Sequence, residues 1–265
     1  MKVMLEDMRW PEVEEALKTP NVVILPTGCL EQHGRHLPLS VDTRCAAHVS
    51  ELGAIRVRKE KNIRALVAPP VSYGETFTFR HYPGTVGLSV DTTIRVIEDI
   101  VRGFISQGFK NILVINGHFS NTLPISVALR KISSDFPELG LFAVYWWVLG
   151  SEFILGERKS DVMAHACELE TSATLVIQPE NVDMNEAVKE IPPLPLPEKW
   201  FSCDFYGSRK LIHTARKFPQ MGEDAGVMGD PTVSSKEYGE KAIEACVDGL
   251  TELLVEIVES EGRIQ

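Results

Sequence analysis

The sequence has no CxxC pair, no apolar run long enough for a membrane and no surplus of positive charge. Each shortage removes a class of protein. Its five cysteines are an odd number at irregular spacing, which suits reduced thiols in a cytoplasm better than a disulfide framework. No uninterrupted apolar stretch approaches the ~20 residues needed to cross a bilayer. Acidic residues outnumber basic ones 37 to 27, a formal net charge of -10, whereas a general nucleic-acid binder needs the opposite balance to neutralise phosphates. The opening MKVMLEDMRWPEVEEAL has charges scattered through it and no apolar core followed by a small-residue cleavage site, so it does not read as a signal peptide.

What is present suits a globular protein. With 265 residues, 44% of them hydrophobic and 24% charged, the chain is long enough for a substantial core, and one domain over residues 1–265 is expected. Residues 10–17 read as a short helix with Pro11 in its first turn and Pro20 beyond it. NVVILP (residues 21–26), IRALVA (63–68), NILVI (111–115) and LFAVYWWV (141–148) are continuously apolar or β-branched, as strands buried on both faces are. Helical patterns fill residues 43–59, 91–107 with Asp91 as cap, a stretch after Asn121 to about residue 134, 163–177 and 235–259. This alternation predicts an α/β layered fold, a mostly parallel central sheet flanked by helices. Residues 71–89 (VSYGETFTFRHYPGTVGLS) have no helical period, and a loop of that length inside a domain is usually functional. PPLPLP (192–197) reads as an extended spacer.

The chemistry gathers in GCLEQHGRHLPLSVDT, residues 28–43, directly after the first strand. Residues two apart in an extended segment point the same way, so Glu31 and His33 can reach one ion together. Asp42 can return to the same spot if HLPLS turns back. As a cluster at a strand end these oxygen and nitrogen donors favour divalent metal over chance. His118, in NGHFSN after the third strand, either joins them or stabilises a tight Asn-Gly turn. Both segments leave the carboxyl ends of strands, where open α/β sheets bind ligands. His48 and His213 are set aside as surface or hydrogen-bonded histidines. For Cys29 and Cys167 a small buried thiol is favoured over a Cys–His nucleophile.

The run GCLEQHGRHLPLSVDT resembles the signature of the creatininase family of metal-dependent amidohydrolases. NGHFSN is similar to the family's NGH-x-x-N element, HACELETS to its HA-x-E-x-ETS helix, HYPGTVGLS to its PGT loop and GVMGDPTVSSKEYG to its closing turn. The resemblance implies a creatininase-like fold and two divalent ions, zinc, manganese or iron, per subunit. Glu31 and His118 would bind one ion, His33 the other, and Asp42 would bridge both. His165 would be the general acid, protonating the leaving nitrogen or oxygen, or would position the water. The creatinine-cleaving members carry a glutamate two positions after the NGH histidine, where Ser120 stands here. Glu170 is expected to fill that place, with Glu168 as rival because it lies three residues from His165 and would share its helix face. His36 is expected to hold the ligand loop by hydrogen bonds. Tyr73, Phe77, His81, Phe119, Trp146 and Trp147 are candidates for a substrate wall, each with the alternative of being core.

The implied function is opening of a small polar ring by water attack on a carbonyl, first a cyclic amide or formamide C–N bond. The alternatives are C–C hydrolysis of an inosose-type cyclic polyol ketone, peptide trimming in the maturation of a peptide-derived redox cofactor, and a non-enzymatic metal-binding scaffold. The partners implied are a small cyclic substrate and further copies of the chain, a hexamer by resemblance, with no nucleic acid and no membrane. The setting expected is cytoplasmic.

Overall fold

Burial of every residue of β1 (Asn21–Thr27) follows from its place at the centre of a parallel sheet. The computed structural model describes residues 2–191, 193, 202–206 and 225–260. In it β1 lies between β2 (Arg64–Val67) and β3 (Asn111–Asn116), and β4 (Gly140–Tyr145) pairs with β3 on the outside, giving the order β2-β1-β3-β4 with all pairs parallel. Alternate side chains on a strand face opposite ways, so the sheet makes two cores. Val22 and Ile24 join Ala65, Val67, Leu113 and Ile115 on one face. Val23 and Leu25 join Leu66, Ile112 and Val114 on the other.

Helices cover both faces. The first core is closed by α2 (Val41–Lys61), α6 (Glu168–Ile177) and α7 (Lys236–Ser260), with α5 (Ser151–Glu157) adding Ile154. The second is closed by α1 (Trp10–Leu17), α3 (Val90–Ser106) and α4 (Thr122–Asp135), through residues such as Ala16, Ile97 and Ile125. A short antiparallel pair, β5 (Met163–His165) with β6 (Met228–Gly229), stands apart from this sheet. The α/β class and the parallel sheet expected from the sequence are thus present. No helix among the described residues is long and apolar enough to cross a membrane. His213 and all of the PPLPLP run except Pro193 lie outside the described residues.

Four boundaries differ from the sequence expectation, each for a local reason. Strand β4 stops at Tyr145, whose partner Asn116 ends β3; with no further backbone to pair with, Trp146–Val148 wind into a 3-10 turn. Helix α3 is capped by Ser89 and not by Asp91: the Ser89 hydroxyl accepts the Thr92 amide at 3.2 Å, which leaves Asp91 in the first turn. Helix α2 starts at Val41, two residues early, so Asp42 belongs to a helical turn and not to an extended segment. The expected helix over residues 163–177 splits. Met163–His165 are strand, Ala166 takes a left-handed φ of 48°, and α6 begins only at Glu168.

The chain exits from β1 and β3 lie against the first turn of α2. A Cβ on Gly117 would fall 2.1 Å from the Asp42 carbonyl oxygen, and one on Gly28 would fall 2.4 Å from the Thr43 amide nitrogen. Only a missing side chain allows this approach. Gly117→Ala is therefore expected to destabilise the fold by about 1–3 kcal/mol through overpacking, read as a lower urea midpoint; an unchanged midpoint would mean that α2 can shift freely.

Candidate metal centre

Three buried carboxylates and three buried imidazoles meet at the carboxyl end of the sheet. Glu31 and His33 come from the segment after β1, Asp42 from α2, His118 from the turn after β3, His165 from β5 and Glu170 from α6. Asp42 is central. Its Oδ1 lies 3.1 Å from His33 Nε2, and its Oδ2 lies 3.0 Å from His118 Nδ1. His118 Nδ1 is also 3.3 Å from Glu31 Oε1, and His33 Nε2 is 4.0 Å from Glu170 Oε1. Asp42 sits in the first turn of α2, where the helix dipole favours a negative charge.

Backbone carbonyls set the tautomers. His33 Nδ1 lies 3.1 Å from the Glu31 carbonyl and His118 Nε2 lies 2.8 Å from the Glu75 carbonyl. A carbonyl only accepts, so each of those ring nitrogens carries the proton, and His33 Nε2 and His118 Nδ1 are aimed at the carboxylates. The long loop supplies further support. The Thr76 hydroxyl donates to Glu31 Oε2, and the Phe79 ring stacks on His165 at 4.2 Å. Asn121 knits the segments, accepting the Glu75 amide and donating to the Gly28 carbonyl, both at 3.0 Å. His36 shares a hydrogen bond of 2.9 Å with the Thr171 hydroxyl, which braces the ligand loop against α6 beside Glu170.

The charges are unbalanced without a cation. Burial works against a charge on His33, yet Asp42 and then Glu170 push its pKa up to about 10. Against the same burial, Glu31 and Asp42 push His118 up to about 9. Burial raises Glu31, against the pull of His118, and raises Glu170 to about 7, against the pull of His33. Burial would raise Asp42 too, but His33 and His118 hold it well below the usual carboxylate range. Burial and the neighbouring His33 push His165 far down, so its ring is neutral. Glu31 Oε1, Asp42 Oδ2 and Glu170 Oε2 are buried and accept no well-formed hydrogen bond. Orphaned carboxylate oxygens beside imidazole nitrogens are what a divalent ion would satisfy, and this donor set fits zinc or manganese.

The donor atoms fall into groups with mutual distances within 4.8 Å: His33, Asp42 and Glu170; Glu31, His33 and His165; and Cys29, Glu31 and His118. Glu170 therefore points into the cluster. Glu168, the rival, does not: its carboxylate accepts the Lys159 amide at 3.0 Å and the amide and hydroxyl of Ser160 at 2.8 Å each. The helix-face argument for it fails because His165 is on a strand. Ser120 lies half-buried in the 3-10 turn Phe119–Asn121. Burial and the nearby carboxylates push the Cys29 thiol up, and burial does the same to Cys167, so both are inert buried thiols.

Of the wall candidates, Tyr73, Phe77, His81 and Phe119 are exposed. Trp146 and Trp147 are each 1% exposed. Trp147 is stacked between Tyr145 at 4.4 Å and Phe205 at 4.3 Å, which makes it core packing in this structure. Sequence reasoning misses three residues in contact with the site: Thr76, Phe79 and Gln32. The one signal for them is the alternation FTF in residues 77–79, which puts two phenylalanines on one side; the structure uses Phe79, 6% exposed.

Comparison with known proteins gives the same picture. The family model described as creatininase, creatinine amidohydrolase, matches residues 6–254. The chain is 26% identical to creatinine amidohydrolase of Pseudomonas putida, over 96% of both chains. It is 29% identical to the mycofactocin precursor peptide peptidase of Mycolicibacterium smegmatis, covering 86% of this chain and 82% of that one. With the 3-dehydro-scyllo-inosose hydrolase of Thermotoga maritima it shares 26% identity, over 97% of this chain and 84% of the other. Among solved structures, a candidate creatinine amidohydrolase from Bacteroides fragilis superposes with a TM-score of 0.81 at 26% identity, over 97% of this chain and 98% of that one. A manganese form of creatininase gives 0.77 at 25% identity with the same coverage, and a zinc–zinc form of a creatininase variant gives 0.76 at 25%, again with that coverage. A whole-chain match of sequence model and fold, around a buried cluster suited to divalent metal, means that this chain belongs to the creatininase family of metal-dependent hydrolases.

Proposed function

We propose that the chain is a two-metal hydrolase that opens a small polar cyclic amide at its C–N bond, in a reducing, cytoplasmic setting. The observation that carries this reading is the set of three buried carboxylates with unpaired oxygens, each beside an imidazole nitrogen. Glu31 and His118 would hold one ion, His33 and Glu170 the second, and Asp42 would serve both with its two oxygens. When bound, such ions act as Lewis acids on the scissile carbonyl and lower the pKa of a water toward neutrality.

The protein's own groups do the rest. Thr76 and the Glu75 carbonyl keep Glu31 and His118 in their ligating orientations. Phe79 and the neighbouring buried side chains keep bulk water from the cluster, which strengthens every charge interaction inside it. His165 Nδ1, 3.7 Å from Glu31 Oε1, faces the site, and the ring would take a proton from the attacking water and pass it to the departing nitrogen. Ser120 in place of a glutamate argues against creatinine itself and for another cyclic amide or formamide.

The discriminating experiment is a hydrolysis screen on the metal-loaded protein, with new carboxylate and new amine measured separately. Cyclic amides are expected to yield both together. Acid formed from a carbocyclic polyol ketone with no new amine would replace this reading by C–C hydrolysis, in line with the hydrolase named for the Thermotoga relative. Cleavage confined to linear peptides would replace it by the peptidase activity named for the Mycolicibacterium relative.

Metal uptake should depend on pH with a definite sign. His33 and His118, held up to about 10 and about 9 in the metal-free site, must each release a proton to ligate, so affinity rises with pH from about 6 to about 9. Zinc titrations by calorimetry in buffers of different ionisation enthalpy would show the released protons; affinity that fell over this range would contradict the ligand assignment.

A further inference from the structure

We propose that a second binding site lies at the amino end of the sheet, where Arg58, Lys61 and Arg64 hold the phosphate of a small phosphate monoester. It does not depend on the metal reading, since the length of β1 separates the two ends of the sheet by about 20 Å.

The chain passes there from α2 into β2. Arg58 and Lys61 belong to the last turn of α2, Asn62 takes a left-handed φ of 57°, and Arg64 opens β2. Arg58 and Arg64 line two adjoining hollows. One, of about 480 Å³, is walled by Val3, Met8, Pro11 and Leu66. The other, of about 390 Å³, is walled by Pro20, Ile63 and Val258, with Lys61 at its side. Each has the size of a small-molecule site.

Most charges around these hollows are already paired. Glu12 lies 3.3 Å from Lys2 and 3.1 Å from Arg9, and Glu15 lies 2.7 Å from Lys18. Arg64 acts on Glu15 only behind Lys18. Arg56, two residues before Arg58, binds Glu244 at 2.8 Å. Among the described residues, Arg58, Lys61 and Arg64 form no ion pair. Attraction to the carbonyls that end α2 accounts for Lys61 and for Arg58, whose Nη1 donates to the Asn62 carbonyl at 3.0 Å. It does not account for Arg64. The Nε–H of that half-buried side chain is buried and donates to nothing among the described residues, a loss that folded proteins rarely accept. On a protein with a net charge of -10, three free cations in one place call for an anion. Two guanidinium forks suit the oxygens of phosphate, the three charges suit its double charge, and the apolar walls suit an organic substituent on it.

The test is a titration of the zinc-loaded protein with phenyl phosphate in about 0.15 M NaCl, which screens loose surface attraction. It is read on the Nε–H signals of 15N-labelled arginine, with Arg58 and Arg64 assigned through their loss in Arg58→Gln and Arg64→Gln. Both signals should shift and saturate with a dissociation constant below about 1 mM, while Arg56, held by Glu244, stays in place. Inorganic phosphate should act on the same two arginines but bind about tenfold or more weakly, because it leaves the apolar wall empty. Each substitution should weaken phenyl phosphate about tenfold or more and leave the metal content unchanged. Signals that do not move, or that drift without saturating alongside an exposed arginine such as Arg9, would overturn the proposal, as would unchanged binding in the variants. Inorganic phosphate binding as tightly as phenyl phosphate would overturn the role given to the apolar wall. Either variant alone supplies an assignment, so the test survives the failure of the other to fold.

Discussion

Replacing Asp42 by alanine is expected to empty both metal positions at once and to lower kcat/KM by about 10³-fold or more, since bound ions supply several kcal/mol of transition-state stabilisation. The expectation comes from one carboxylate facing two ways: Oδ1 toward His33 and Oδ2 toward His118, at 3.1 and 3.0 Å. Among the described residues of the cluster, Asp42 alone has its two oxygens divided between those histidines. Its position is held by the first turn of α2, which packs on Gly28 and Gly117, so the substitution removes the carboxylate without removing the scaffold. Metal analysis of the purified variant gives the answer. One ion retained at full occupancy would confine Asp42 to a single position, and two retained would refute its role.

His165→Gln should give a different pattern. Loss of a general acid costs about 10²–10⁴-fold in kcat, whereas the metal content should stay at the wild-type level. The loss should shrink for substrates whose leaving group needs no proton. This separates two roles that the geometry keeps close together, because His165 lies within ligand distance of Glu31 and His33. If the substitution also cost an ion, His165 would be a ligand, and the proton donor would have to be sought elsewhere.

Much of this architecture is legible in the sequence because it depends on short-range patterns. NVVILP and NILVI are apolar on both sides, as strands are in a sheet covered on both faces, and the two cores follow from the alternation of their side chains. Glu31, His33 and His118 stand out as candidate ligands placed soon after such strands. What stayed hidden depends on single backbone angles or on distant partners. The left-handed Ala166 turns a plausible helix into strand plus helix, and with it the helix-face case for Glu168 over Glu170 is lost, since their directions follow from where α6 begins. The bond from Thr76 to Glu31 spans 45 residues and that from Gln32 to His165 spans 133; no local periodicity marks such partners.

The most direct test of the two-metal site is anomalous diffraction from crystals of the zinc-loaded protein. The account predicts two peaks per chain, one bounded by Glu31 and His118, the other by His33 and Glu170, with Asp42 touching both. A single peak, or a second peak that Glu170 does not touch, would contradict it.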